Sequence, residues 1–268
     1  MNSAREFVWP HLAELPTFRA LIRSIEHRLI SDYQPLGSPV LDLGTGDGHF
    51  AGVALAGQIE AGIDVTLAAV RQAQRRGVYR ILVCSNATAM PFRSEHFATV
   101  ISNCAVEHIP DLDRALLEAH RVLRPGGALL LTVPTDHLEQ NLLVPGILAS
   151  VHLRNLSSSY LSWFRRRQVH HHLLSREQWV SALEKRGFSV KRTRGYLSAR
   201  ATKFFELGHY MGWHNIVARR ITGRWVLLPW RPLFYPTERL LASFVNEREH
   251  SDDSCLLIEA HKQAGYAR

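Results

Sequence analysis

The residues of this 268-residue chain that could do chemistry sit at the ends of short apolar runs. The first such run is VLDLGTGDGHF at 40–50, where Gly44, Gly46 and Gly48 follow Asp42 at a spacing of two. Glycine lets a backbone turn sharply and approach a ligand closely, so a loop this bare reads as a cradle. Gly46 to Ala51 also fits the G-x-G-x-x-A pattern of dinucleotide enzymes, in which a pyrophosphate meets a helix N-terminus. Here Asp42 and Asp47 place carboxylates around the loop, which favours a ligand with a cationic amino or sulfonium group. His108, in E-H-I, and His137, in PTDH beside Asp136, are of a residue type suited to taking a proton from a hydroxyl. The run His170-His171-His172 invites a metal reading, but adjacent histidines cannot all face one ion. No carboxylate or cysteine stands at ligand spacing from them, so no metal is expected. One ring is expected to line an acceptor pocket and the others to be exposed.

These residues need elements to hold them. Phe18, Leu21, Ile22, Ile25 and Leu29 recur at helical spacing and predict an amphipathic helix over 17–31. Strands are predicted at 40–43, 59–64, 79–84, 97–102 and 128–133, with helices after the glycine turn, over 66–76 and over 111–123. Pro125-Gly126-Gly127 should stop the last of these helices. Strands alternating with helices at short intervals mean parallel βαβ units and a doubly wound sheet. Ser175 should cap a helix ending at Gly187, and strands at 188–194 and 255–261 bring the sheet to seven. The organisation expected is an N-terminal helical segment (1–35), a core (36–134) and an acceptor-side insertion (135–174). A core helix and strand (175–198), a helical lid insertion (199–250) and a final strand and tail (251–268) follow. Residues 199–250 are too many for a plain loop, and together with 135–174 they are expected to cover the site.

Composition sets bounds on partners and compartment. With 46% hydrophobic and 21% charged residues, the chain is ordinary for a globular protein with one large core. No apolar run approaches the roughly 18 residues needed to span a bilayer, and the N-terminus lacks the apolar core of a signal peptide. Cys84, Cys104 and Cys255 are widely spread and expected to be reduced, which suits the cytosol. The net charge of +8 is uneven. Residues 150–250 hold 18 Lys and Arg against 6 Asp and Glu, a local +12 that leaves −4 for the rest. Arginines there alternate with Trp213, Trp225, Trp230, Phe234 and Tyr235. Such a surface could meet an anionic or hydrophobic acceptor, a membrane surface or single-stranded RNA, or it could simply be solvated.

The segments VLDLGTGDG, GIDVT, NATAMPF, ISNCAVEHI and RVLRPGGALLLTVP, in this order and spacing, resemble the class I S-adenosylmethionine-dependent methyltransferases. The resemblance is to the subfamily that modifies small molecules, quinones and glycans. It is strong over 38–134 and weak over 172–195 and 254–262. It implies a Rossmann-like, mostly parallel seven-stranded α/β sheet with a helical lid, and S-adenosyl-L-methionine as cofactor. Asp42, with the backbone at Gly44 and Gly46, would hold the cofactor's amino acid end. Asp64 would accept from the ribose hydroxyls, and Val65 would pack on the adenine. Asn86, where the family usually has Asp, would accept from the adenine amino group while the Ala87 N–H donates to the ring. Thr45, Gly48 and Asn103 complete the expected set. Ala98 replaces a common Asp of the fourth strand, with little consequence expected. The family commonly turns the position of His108 toward the acceptor, so His108 and then His137 are the candidate bases. The activity implied is methyl transfer to oxygen of a small, lipid-linked or glycan-linked acceptor, with possible peripheral membrane contact. The RNA methyltransferase signature N-P-P-Y is replaced by NCAVEH, which makes nucleic acid the weaker alternative. A partner protein that binds the cofactor without turnover is the other alternative.

Overall fold

A computed structural model describes residues 3–264, apart from the side chains of Met211, Trp213 and His214, so the expectation for Trp213 lies outside the described residues. Helices α1 (Ala4–Leu12) and α2 (Thr17–Ser31) come first. They are followed by β1 (Val40–Leu43), α3 (His49–Ala54), β2 (Ile59–Asp64), α4 (Leu67–Gln74) and β3 (Tyr79–Cys84). Next come β4 (Phe97–Asn103), α5 (Leu112–Val122), β5 (Leu123–Pro134), α6 (His137–Gln140), α7 (Leu143–Ser150) and α8 (Arg154–Gln168). The chain ends with α9 (Arg176–Glu184), β6 (Phe188–Tyr196), α10 (Ala199–Met211), α11 (Trp213–Thr222), α12 (Arg231–Val245) and β7 (Cys255–Lys262). They group into two compact units interleaved along the chain. One comprises Met1–Asp32, His137–Arg167 and Gly195–Ser254, and the other Tyr33–Asp136, Gln168–Arg194 and Cys255–Arg268.

The second unit carries the seven-stranded sheet, in the order β3-β2-β1-β4-β5-β7-β6. Strands β1 to β5 pair in parallel and β7 runs antiparallel to β5, as the doubly wound reading requires. Helices must cover both faces of such a sheet, so its central strands read as unbroken apolar runs. Accordingly all four residues of β1 are buried. Strand order reverses beside β1, and ligands of open α/β sheets bind beyond the strand ends at such a point. The largest boundary difference from expectation is at the start of β5. The Pro-Gly-Gly turn does not precede β5 but is absorbed into it as an irregularity, because Leu123 already pairs with Phe97 before the main register resumes at Ala128 opposite Thr99. Gly126 has φ +73°, and a Cβ at Gly127 would meet the carbonyl oxygens of Arg124 and Ala98 at 2.9 and 3.1 Å, so only glycines allow this kink. Ser175 caps α9 in a full capping box with Gln178, and Trp179, fully buried, donates its indole N–H to the Pro134 carbonyl at 3.2 Å.

Residues 199–245 of the first unit carry three helices, α10 to α12, with 223–230 outside any helix, and α8 is a 15-residue helix that polar residues had concealed. Glu238 of α12, buried, takes hydrogen bonds from Arg5 of α1 (3.1 and 3.2 Å) and Arg231 (3.2 and 2.7 Å). Glu206 of α10 caps α7 by accepting from the Leu143 and Val144 amides, the first at 2.5 Å, and also from the Tyr160 hydroxyl. No helix among the described residues is long and apolar enough to cross a membrane.

Candidate active site

The three loop glycines are needed for three different reasons. Gly44 (φ +84°) presses on the segment after β4, where a Cβ would lie 2.3 Å from that of Ala105. Gly48 (φ +72°) lets α3 pack on α4, since a Cβ there would lie 2.9 Å from the Ala73 backbone. Gly46 (φ +53°) has nothing within 4 Å of its would-be Cβ. Only Gly46 thus combines a left-handed backbone with open space, which is what close approach by a ligand requires. The loop is fixed to β2, for the amides of Gly44 and Thr45 both donate to the Ile63 carbonyl, at 2.8 and 3.0 Å.

Around this loop the expected positions take distinct surroundings. Asp64 accepts from the Gly46 amide (2.9 Å, Oδ2) and the Thr66 amide (2.8 Å, Oδ1), so it shapes the loop while each oxygen retains acceptor capacity. Val65 beside it is 71% exposed, an apolar surface awaiting a flat apolar partner. Asp42 and Thr45 are buried. Tyr79 of β3 donates its hydroxyl to Asp42 Oδ2 at 2.5 Å, and burial together with the Asp42 charge pushes the phenol far above its ordinary range. Asn86 is exposed and accepts from the Thr88 amide at 3.0 Å, with Ala87 buried next to it. This stretch is held by α5: the Met90 amide donates to Glu118 (2.8 Å), and Arg121 bonds Glu118 and the carbonyls of Met90 and Phe92. Asn103 is half-buried at the end of β4, opposite Thr132. Ala98, in the position where an Asp is common, is buried in β4.

His108 ends a short 3-10 turn, Val106–His108, just beyond β4. Its Nδ1 lies 3.1 Å from the Val169 carbonyl, its Nε2 lies 3.8 Å from Glu107 Oε1, and its side chain is 41% exposed. Because a carbonyl only accepts, Nδ1 is the donor in this contact. His137 opens α6 in the helical unit and is half-buried. Of the histidine run, His171 is exposed while His170 and His172 are half-buried. The fold also supplies the carboxylate that spacing in the sequence does not, since Glu107 meets His108 and His170. Sequence reasoning missed Tyr79 and Glu107, and named His170 only as one of the histidine run. Tyr79 reads as an ordinary strand aromatic, and the other two meet only through a contact across some sixty residues.

Among the basic aromatic residues, Arg219 lies 4.3 Å above the Trp225 ring. Arg220, Arg224, Leu227, Leu228 and Trp230 are exposed.

Residues 41–131 match the model of a family described as "Methyltransferase domain". A malonyl-[acyl-carrier protein] O-methyltransferase of Methylococcus capsulatus is 37% identical over 119 residues, 41% of this chain and 43% of that protein. One of the same name from Pseudescherichia vulneris is 37% identical over 94 residues, 35% of this chain and 38% of that protein. The chain therefore spans under half the length of the curated relatives it matches. In structure it is similar to a possible histamine N-methyltransferase of Thermotoga maritima, with a TM-score of 0.57 at 17% identity over 92% of this chain and 91% of that one. That likeness shows the fold.

Proposed function

We propose, from the match of residues 41–131 to the family model described as "Methyltransferase domain", that this chain is a class I S-adenosylmethionine-dependent enzyme that methylates an oxygen of a small, carrier-linked or lipid-linked anionic acceptor. The observation that carries the reading is Gly46, left-handed and open on its outer side, with Asp64 and the exposed Val65 beside it inside the matched segment. These residues fit the cofactor. Asp42 with the Gly44 and Gly46 backbone would hold its amino acid end, Asp64 the ribose hydroxyls, and Val65, Asn86 and the Ala87 N–H the adenine. Thr45, Gly48 and Asn103 support the same cradle. When bound, the cofactor supplies a methyl group on a sulfonium, a good leaving group.

The protein's own part is to position the acceptor oxygen in line, exclude water and, for a hydroxyl, remove a proton. His108 is the candidate for that last task, with a part-exposed side chain whose Nδ1 is held by the Val169 carbonyl. A malonyl group, which the name of the Methylococcus relative states, ends in a carboxyl group, and an ionised carboxylate has no proton to lose. For such an acceptor His108 would orient rather than deprotonate. The exposed Arg220 and Arg224, next in sequence to exposed Leu227, Leu228 and Trp230, support an anionic acceptor carrier or an anionic membrane surface as partner.

Calorimetry with the cofactor tests the reading. The parent chain should bind S-adenosylmethionine, and Asp64→Ala should weaken that binding by about 1.5–3 kcal/mol, the scale of a hydrogen bond to a charged group. Unchanged affinity removes Asp64 from the ribose site. Tight binding of NAD in its place overturns the assignment altogether.

A further inference from the structure

Glu107, His108 and His170 come together from two distant stretches within the sheet unit, and their nitrogen and oxygen ligand atoms all lie within 4.8 Å of one another. His108 Nε2 is 3.8 Å from Glu107 Oε1, and the rings of His108 and His170 are 4.9 Å apart. Backbone contacts impose this register. The amides of His171 and His172 donate to the Glu107 carbonyl at 2.9 and 3.3 Å, and His172 Nε2 donates to the Ile109 carbonyl at 3.0 Å. Val169 takes φ +54°, a left-handed backbone that a β-branched residue adopts only at a cost. Its carbonyl then receives the Nδ1–H of His108. A ring nitrogen anchored to a carbonyl while the other presents its lone pair is how metal-ligating imidazoles are held.

We propose that Glu107, His108 and His170 form a binding site for one divalent transition metal ion of the zinc, cobalt and nickel class. Two imidazoles and a carboxylate suit these ions better than magnesium or calcium, which prefer all-oxygen shells. Glu107 is 1% exposed and sits on a short turn, so it gives a fixed ligand, whereas His108 at 41% exposed gives an entry path. Tetrahedral bonds of 2.0–2.1 Å put ligand atoms about 3.3 Å apart, so the three side chains would draw in on the ion from the 4.8 Å within which they now lie. Three protein ligands leave a fourth position for an external oxygen. His171 is exposed and His172 donates its Nε2–H to the Ile109 carbonyl, so His170 is the histidine of the run that joins the cluster. The ion would use the same His108 Nε2 that proton removal needs, so metal binding and base action exclude each other. Ion binding itself does not depend on methyl transfer.

The test titrates the tag-free, chelator-treated full chain with Co²⁺ alone, read by its visible absorption, and with Zn²⁺ alone, read by calorimetry. One ion per chain is expected. His108→Ala and His170→Ala should each weaken binding by at least about tenfold, and Glu107→Gln, with its fold checked by circular dichroism, should do the same. His171→Ala and His152→Ala should bind as the parent does. Should Glu107→Gln fail to fold, the two single-histidine variants decide the question. Parent-like affinity in both of them, or no binding at high micromolar metal, overturns the proposal. An equal loss on His171→Ala also overturns it, because the ion would then belong to the exposed histidine run.

Discussion

Gly46 and Gly44 are two residues apart and should fail in opposite ways when given a side chain. Gly44→Ala would drive a Cβ into Ala105 at 2.3 Å and should destabilise the fold, read as a lower thermal midpoint. Gly46→Ala meets no neighbour, so it should cost only about 1–2 kcal/mol of left-handed strain. It should nevertheless lose most cofactor binding, because the new methyl occupies the open space. Gly46→Ala with parent-like cofactor affinity would move the cradle elsewhere. His108 admits an equally direct reading. If it removes a hydroxyl proton, His108→Ala should lower kcat by roughly 10² to 10⁴ with cofactor affinity nearly intact. Loss of cofactor binding in parallel would make it a structural residue, and an unchanged rate would turn attention to His137.

At the scale of elements, Glu238 ties α1 and α12 of the helical unit through two arginines. Burial alone would raise its pKa, but the hydrogen bonds and charge of Arg231 and Arg5 outweigh burial and hold the carboxyl below its ordinary range. Its proton is bound more weakly in the folded chain than in the unfolded one. The stabilisation is therefore complete above the ordinary carboxylate range and fades as pH falls through the lowered value. Glu238→Gln leaves two part-exposed arginines facing a neutral group and should lower stability, with solvent screening limiting the loss. It should also flatten the acid limb of the stability curve. Denaturant melts of parent and variant at neutral and acid pH would show both effects; parallel acid limbs would mean that Glu238 is not the group titrating.

For the whole molecule, charge is divided along the chain, with +12 in 150–250 against −4 in the remainder. Neutralising Arg219, Arg220 and Arg224 together should raise the acceptor KM and hardly move the cofactor Kd, whose proposed contacts all belong to the sheet unit. The effect should fade as salt passes about 0.15 M, where the screening length is near 8 Å. Co-sedimentation with anionic vesicles would identify a membrane surface, and nuclease-sensitive binding with a log-linear salt slope would identify RNA. A triple variant that behaves like the parent at low salt would reduce these arginines to a solvated face.

The sheet was legible residue by residue because buried parallel strands must be apolar runs and the turns between them need glycine. VLDL, GID and their neighbours announce both features within a few residues. The loop, Asp42, Asp64 and the histidine after β4 were legible for the same reason, since each lies at the end of such a run. The Pro-Gly-Gly kink within β5 was not legible, because pairing of Leu123 with Phe97 lies outside any local pattern. Nor was α8, whose polar face offers no apolar period. The bond from Tyr79 to Asp42 needs β3 set two strands away from β1, and the meeting of Glu107 and His108 with His170 needs the Val169 backbone folded against the turn after β4. Local periodicity and turn chemistry thus specified this protein's strands and its glycine cradle. Only tertiary packing decided which distant side chains share a site, because such contacts depend on sheet order and loop path rather than on spacing along the chain.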